Sequence, residues 1–238
     1  MFLIDGQPTV DFSPYVNLEQ LLELKPYLDY AVVKSSRLAT PSRYYQEQFL
    51  DQTYLGISDV YKTPVDFEFY EDLKNTDQLA GWLRYQQDLV YGQQSVPIIY
   101  PIDWNTKHIP SEVVQTENLQ YWTKFFDWLN SQDIFKQYGR VVAFLNEPGV
   151  STPIHRDSAD PTRRDEFIWI SLGNRKQMFV YDPIQEIKYY LTSPIGTFDA
   201  TNYHGADAGT LASWSLRIDG VFSDSFLDKT KLKNHYRL

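Results

Sequence analysis

The stretch Leu211-Ala-Ser-Trp-Ser-Leu-Arg-Ile-Asp-Gly-Val-Phe222 alternates between two kinds of side chain. Side chains of a β-strand point to opposite faces in turn, so Trp214 and Leu216 share one face while Ser215 and Arg217 share the other. The first face is typical of a protein core. The second face places a hydroxyl and a guanidinium side by side in an otherwise apolar strand. The stretch therefore predicts a strand with one core face and one polar face.

Further short apolar runs precede this strand and are separated by turn residues such as Glu147-Pro-Gly149 and Leu172-Gly-Asn174. Phe167-Ile-Trp-Ile170 is apolar on both faces, as expected for a sheet that helices cover from outside. Strands at this spacing favour a mainly β fold, a sandwich or a barrel of the jelly-roll type. The predicted strands are residues 140–146, 167–172, 177–181, 187–191, 196–202 and 211–222.

The first part of the chain has helical patterns, which we expect to form helices that cover one sheet. The strongest pattern spans residues 117–135, where large apolar side chains recur at helical spacing. Two more helices are predicted at residues 18–24, ended by Pro26, and at residues 77–91. Residues 96–102 are predicted to be extended, because each Pro restricts the residue before it.

No linker-like stretch divides the chain, so the sequence predicts a single domain of 238 residues. Within it we expect a mixed helical part at residues 1–139, a β core at 140–223 and a C-terminal tail at 224–238. The basic run at 229–237 is interpreted as a solvated tail or a terminal helix rather than as a binding patch.

Composition limits the kind of chemistry. The chain contains no cysteine and carries a net charge of −9. Any metal must therefore be bound by His, Asp or Glu. The acidic charge argues against non-specific nucleic-acid binding. The sequence shows no signal peptide and no apolar stretch long enough for a membrane span. We expect a cytoplasmic protein without a membrane or nucleic-acid partner.

His155 and Asp157 lie two positions apart, so on an extended backbone both side chains project to one face and can bind one ion. Alone this pair is weak evidence, since the Asp can equally cap a local turn. His204 supplies a third ligand. Two histidines and one carboxylate form the facial triad of non-haem iron(II) oxygenases, so the sequence predicts a metal centre at these three residues. The remaining histidines, His108 and His235, are interpreted as a loop residue and a tail residue.

Arg217 is the first candidate for binding a co-substrate. Its rigid fork matches a carboxylate, although it can equally pair with a structural acidic residue.

The order of Pro148-Gly149, His155-Arg-Asp157, His204 and Arg217 resembles that of the iron(II)/2-oxoglutarate-dependent oxygenases. The run Glu-Pro-Gly-x₃-Pro-Ile-His-Arg-Asp is especially similar to the aspartyl/asparaginyl β-hydroxylase-like branch. The resemblance covers about residues 140–223 and implies a double-stranded β-helix. It also implies that Fe(II) binds the triad and that the distal carboxylate of 2-oxoglutarate binds Arg217.

The implied reaction hydroxylates a C–H bond and releases succinate and CO2, and the branch favours an amino acid or a peptidyl side chain as substrate. Ser215 would add a hydrogen bond to the distal carboxylate. Asn146 and Lys176 lie on strands expected to face the interior, where either can contact a co-substrate oxygen or play a structural role.

Two other functions are compatible with the metal site. A cupin-like metal-binding protein, such as an isomerase or a small-molecule binding module, would not use 2-oxoglutarate and would not need Arg217. An iron-free binding or scaffold protein is the third hypothesis, and the complete triad argues against it.

Overall fold

The computed structural model describes residues 6–35, 93–101, 113–146, 149, 151–157, 165–173, 176–211 and 213–237. These residues are mainly β, with a few helices, and their strands form two antiparallel sheets. The helix predicted at residues 77–91 lies outside them. Within these ranges no helix is long and apolar enough to cross a membrane.

The larger sheet has seven strands in the order β1-β9-β6-β11-β4-β2-β3. The predicted strand at residues 211–222 is confirmed as β11 and lies between β6 and β4, near the middle of this sheet. Residues 96–101 of the extended segment predicted at 96–102 belong to β2, and residue 102 lies outside the described residues. The strands are β1 (Val10–Asp11), β2 (Gln93–Pro101), β3 (Val113–Gln115), β4 (Phe135–Asn146), β6 (Phe167–Ile170), β9 (Ile195–Thr197) and β11 (Ser213–Phe222).

The smaller sheet has four strands in the order β5-β10-β7-β8. They are β5 (Thr152–His155), β7 (Gln177–Asp182), β8 (Ile187–Tyr190) and β10 (His204–Asp207). β7 and β8 were predicted within one residue of their bounds. β10 was not predicted, because its sequence His-Gly-Ala-Asp has neither apolar alternation nor β-branched residues.

The described helices are α1 (Leu18–Glu23), α2 (Lys25–Ser35), α3 (Thr123–Ser131), α4 (Asp224–Thr230) and α5 (Lys233–Tyr236). Short 3₁₀ helices cover Ser13–Tyr15 and Glu117–Tyr121.

The prediction of one helix over residues 117–135 is wrong at both ends. A 3₁₀ turn covers Glu117–Tyr121, and α3 ends at Ser131. Asp133 then adopts a left-handed conformation with φ of 54°, which turns the chain out of the helix and into β4. The helix at 18–24 is confirmed as α1, but Pro26 does not stop helical structure. It lies in the first turn of α2, where its missing N–H costs no hydrogen bond.

Helices α1, α2 and α3 pack on one face of the larger sheet, as predicted. Their buried side chains form one cluster with β2, β4, β6 and β11 residues; it includes Leu21, Leu28, Phe125, Trp128, Val96, Val141, Ile168 and Leu216. A second cluster joins the two sheets; it contains Phe167, Trp169, Met178, Val180, Leu191, Phe198, Ala200 and Ala206. β6 contributes alternate residues to both clusters, which explains why its sequence is apolar on both faces.

The segment after residue 223 is helical and partly buried. Ser223 caps α4 by accepting a hydrogen bond from the backbone N–H of Phe226 at 3.0 Å. Phe226 is fully buried, with its ring centroid 5.0 Å from that of Phe12 and 5.4 Å from that of Phe222. Of the two interpretations of this segment, the terminal helix is therefore the one observed.

Phe226→Ala is expected to lower the free energy of unfolding by about 3–5 kcal/mol, because it removes a fully buried ring and leaves a cavity. Urea unfolding followed by circular dichroism measures the change. Ile184→Ala is the control, since Ile184 is 91% exposed and its truncation should change stability by about 0.5 kcal/mol or less. If α4 were a solvated tail, both variants would behave alike.

Candidate metal centre

The three predicted ligands come together at the ends of two neighbouring strands. His155 ends β5 and His204 begins β10, and the two residues are directly paired across these antiparallel strands. Their ring centroids are 4.3 Å apart. Asp157 follows two positions after His155. One candidate ligand atom from each of the three residues lies within 4.8 Å of the others, which makes this a group that could hold a metal ion.

The two oxygens of the Asp157 carboxylate face different groups. Oδ1 lies 3.5 Å from Nε2 of His155 and 3.7 Å from Nε2 of His204. Oδ2 accepts a hydrogen bond from Nη1 of Arg217 at 2.7 Å. Two imidazole nitrogens and one carboxylate oxygen are a suitable donor set for a divalent iron, zinc or manganese ion. The separations are close to the roughly 3 Å expected between adjacent ligands with bonds of about 2.1 Å, so the residues fit such an ion.

The turn before β10 supports two of the ligands. Its Ala200 carbonyl accepts a hydrogen bond from the backbone N–H of Asp157 at 3.0 Å. Nδ1 of His204 lies 2.9 Å from the carbonyl oxygen of Asn202, so Nδ1 carries the proton and Nε2 is left as the ligand atom. The ring of Phe198 packs against that of His204 at a centroid distance of 4.9 Å. This turn fixes the orientation and the tautomer of the imidazole.

The carboxyl group of Asp157 is ionised. Burial alone would raise the pKa of its carboxyl group, but the charge of Arg217 and the proximity of the imidazoles of His155 and His204 hold the pKa well below 3.8. The site therefore presents one negative charge at neutral pH, which is what a divalent cation requires.

Arg217 is surrounded by carboxylates. Besides Asp157, Nε donates to Oδ1 of Asp219 at 2.8 Å, and Nη2 lies 3.8 Å from Oδ2 of Asp165. Burial would lower the pKa of Arg217, but these three carboxylates raise it, so the guanidinium is permanently charged. The sequence left open whether Arg217 meets a co-substrate or a structural acid. The structure gives it acidic partners, one of which is a candidate metal ligand.

Three buried polar atoms near this site have no hydrogen-bond partner in the part of the chain that the structure describes: Ser215 Oγ, Arg217 Nη2 and Trp169 Nε1. Ser215 and Arg217 are two positions apart on β11, and Trp169 lies opposite Arg217 on β6. Its ring stacks on Phe144 with centroids 5.5 Å apart. An unsatisfied buried polar group costs about 1–3 kcal/mol. The inner face of the larger sheet therefore has donors that a polar ligand can satisfy.

Lys176 and Asn146, the other two predicted co-substrate residues, lie just before β7 and at the end of β4. Lys176 directly precedes β7 and is 7% exposed; burial lowers the pKa of its amine to about 8. It alternates with Met178 and Val180, whose side chains lie in the cluster between the sheets, so all three share a face. Asn146 ends β4 opposite Ser213, and its side chain lies outside the described set.

The remaining histidines are not part of the triad. His108 lies outside the described residues. The interpretation of His235 as a tail residue is wrong, because α5 buries it to 7% exposure and places Nε2 3.9 Å from Oδ2 of Asp199. This contact joins α5 to the turn that supports the ligands.

The partners of Arg217 were not predicted as site residues. Asp219 could have been identified, because it lies two positions after Arg217 on the same face of the predicted strand. Asp165 could not, since its approach depends on which distant strands pair.

No protein-family model and no curated protein matches this sequence. Among solved structures, similar chains include an oxidoreductase of the 2OG-Fe(II) oxygenase family from Burkholderia pseudomallei, 10% identical, covering 55% of this chain and 71% of that chain with a TM-score of 0.39. A prolyl-4-hydroxylase from Pseudomonas putida is 15% identical, covering 53% and 70% with a TM-score of 0.33. A Trichoplax adhaerens prolyl hydroxylase in complex with a hypoxia inducible factor peptide fragment is 11% identical, covering 68% and 81% with a TM-score of 0.35. These similarities are too low to assign an activity.

Proposed function

We propose that this protein is an Fe(II)- and 2-oxoglutarate-dependent dioxygenase that hydroxylates an amino acid or a peptidyl side chain, with release of succinate and CO2. The observation that carries the proposal is the convergence of His155, Asp157 and His204. Three ligands on one side of an octahedral ion leave the opposite positions for a bidentate co-substrate and dioxygen. When bound, Fe(II) and 2-oxoglutarate would supply the oxidising chemistry, and the protein would supply binding and orientation.

The strand order supports a double-stranded β-helix of the jelly-roll, cupin-like type as the framework of a single oxygenase domain. Strands β4 to β11 are divided equally between the sheets, as β9-β6-β11-β4 in the larger and β5-β10-β7-β8 in the smaller. Two antiparallel sheets that share successive strands in this way are what an eight-stranded jelly roll would require, and this supports the proposal. The two histidines lie at one end of the smaller sheet.

Each site residue would have a distinct task. His155, His204 and ionised Asp157 would hold the metal, with Nδ1 of His204 keeping its proton on the Asn202 carbonyl. The apolar cluster between the sheets would exclude water from one side of the site, which strengthens the electrostatic interactions there.

Lys176 is the residue that we propose as the main partner of the distal carboxylate of 2-oxoglutarate. Arg217 already donates from Nε and Nη1 to carboxylates, so its capacity to bind a second anion lies mainly at Nη2. Lys176 is buried and shares a face with Met178 and Val180 of the cluster between the sheets, so its amine lies on the inner side of the smaller sheet, and a bound carboxylate would favour its charged form. Ser215 Oγ and Nη2 of Arg217 would donate additional hydrogen bonds, and Asn146 would contact another oxygen of the co-substrate.

One observation favours the alternative, a cupin-like isomerase or binding module that does not use 2-oxoglutarate. Arg217 is the residue that only the oxygenase hypothesis needs, and its bonds to Asp157 and Asp219 give it a structural task. Binding of 2-oxoglutarate separates the two functions.

Calorimetry of the Mn(II)-loaded protein is expected to show binding of 2-oxoglutarate, since Mn(II) replaces Fe(II) without redox chemistry. With Fe(II) and dioxygen, the protein should form succinate slowly even without its substrate. Asp157→Asn is the matched control, because it keeps the side-chain shape but removes the anionic ligand, and it should do neither. Absence of both binding heat and succinate in the wild type would favour the alternative.

The affinity for 2-oxoglutarate is expected to depend on the ionisation of Lys176. The amine is charged below its pKa of about 8, so affinity should be constant below that pH and fall as pH rises through it. Lys176→Met should weaken binding at pH 7 by about 10- to 100-fold, as expected for loss of a hydrogen bond between charged groups. It should also remove this pH dependence.

Lys188→Met is the control, because Lys188 is half-buried and pairs with Asp207. Titrations at several pH values test the prediction. An unchanged profile in Lys176→Met would instead assign the carboxylate to Arg217, which stays charged throughout this range.

A further inference from the structure

We propose that Arg217 is a positioning residue of the metal centre, which holds one oxygen of Asp157 so that the carboxylate offers the metal a single oxygen in a fixed orientation. This inference rests on the proposed function only in requiring that the triad binds a divalent metal. It gives Arg217 a task that is separate from any contact with a co-substrate.

The geometry at Asp157 is the first support. Oδ1 faces Nε2 of both histidines, at 3.5 and 3.7 Å, whereas Oδ2 accepts the hydrogen bond of Arg217 at 2.7 Å. The terminal torsion angle χ2 of an Asp side chain adopts a broad range of values. A carboxylate that no hydrogen bond holds can therefore rotate and present both oxygens to an ion. A bond to Oδ2 opposes this rotation. It therefore keeps the second oxygen of Asp157 from taking a further coordination position on the metal.

Arg217 is itself held firmly enough to do this. Its Nε donates to Oδ1 of Asp219, and the other oxygen of Asp219 accepts from Nε of Arg140 at 2.9 Å. The guanidinium also lies over the ring of Phe167, with Cζ 4.1 Å from the centroid. One hydrogen bond, to a carboxylate that Arg140 also holds, and one ring contact therefore restrain the guanidinium independently of Asp157. Arg217 can orient the carboxylate of Asp157 only if its own side chain is held in one position.

The strands connect this chain of charges to the rigid part of the fold. Arg217 lies on β11 and Arg140 on the adjacent β4, and both are buried, at 5% and 8% exposure. Asp157 follows β5 of the other sheet. A series of ion pairs therefore runs from the middle of the larger sheet to the candidate metal ligand beside the smaller sheet, in the order Arg140, Asp219, Arg217 and Asp157.

The charge of Arg217 needs an explanation, because a lone guanidinium beside a metal ligand would repel the cation. Asp219 bonds to Arg217, and Asp165 lies 3.8 Å from Nη2. These carboxylates offset the positive charge at short range. What Arg217 contributes to metal binding is therefore mainly the orientation of Asp157.

Arg217→Lys tests the inference, because it keeps the positive charge but replaces the fork with one ammonium group. A single ammonium cannot reproduce the two directed bonds to Asp157 and Asp219. We expect the Kd for Mn(II), measured by calorimetry, to increase by about 10- to 100-fold, as for other residues that orient metal ligands. The absorption spectrum of the Co(II)-loaded variant should also change, because Asp157 can then bind through both oxygens.

Arg237→Lys is the matched control. Arg237 pairs with Glu166, contacts the carbonyl of Phe222 on β11, and has no described contact with the triad. It makes the same chemical change just after α5, beside the same sheet. Its Mn(II) affinity and Co(II) spectrum should equal those of the wild type.

The outcomes separate this inference from the proposed function. A folded Arg217→Lys protein with wild-type Mn(II) affinity and an unchanged Co(II) spectrum overturns the inference and leaves the oxygenase proposal intact. A wild-type protein that binds no Mn(II) refutes both. If Arg217→Lys does not fold, Asp219→Asn decides, because it keeps Arg217 and Asp157 but removes the charge that holds Nε. Weaker Mn(II) binding in that variant supports the inference, and wild-type affinity overturns it.

Discussion

The ion pair between Asp157 and Arg217 joins the two sheets at the candidate metal centre. Asp157 follows an edge strand of the smaller sheet, and Arg217 lies on a central strand of the larger one. Burying an isolated ion pair costs more desolvation free energy than it returns, unless further hydrogen bonds satisfy the charged groups. Asp219 and Arg140 provide these bonds. The same network that makes the buried pair tolerable also defines where the ligand carboxylate points.

The apolar parts of the fold place this network. Because β6 contributes to both apolar clusters, it connects the helix-covered face of the larger sheet with the space between the sheets. Phe198 connects this apolar packing with the candidate metal centre, because its ring contacts Phe167 on β6 and His204 on β10. The C-terminal helix α5 contributes through His235, which contacts Asp199 in the same turn. Segments distant in sequence thus converge on the turn that orients His204.

The features that depend on local periodicity could be predicted from the sequence. The alternation in β11, the two-faced character of β6 and the shared face of His155 and Asp157 all follow from the two-residue repeat of a strand. Features that depend on tertiary pairing were not accessible. β10 has four residues and no alternation, and it is a strand because β5 and β7 flank it. The acidic surroundings of Arg217 likewise arise from strands that are paired but far apart in sequence.

In the metal-loaded protein, we expect one divalent ion to bind a single oxygen of Asp157 while Arg217 holds the other oxygen. Anomalous diffraction at the manganese edge from crystals grown with Mn(II) tests it most directly. We expect one peak about 2.0–2.2 Å from Nε2 of His155, Nε2 of His204 and Oδ1 of Asp157, with Oδ2 still bonded to Arg217. A peak at another group of residues, or one equidistant from both oxygens of Asp157, would contradict it.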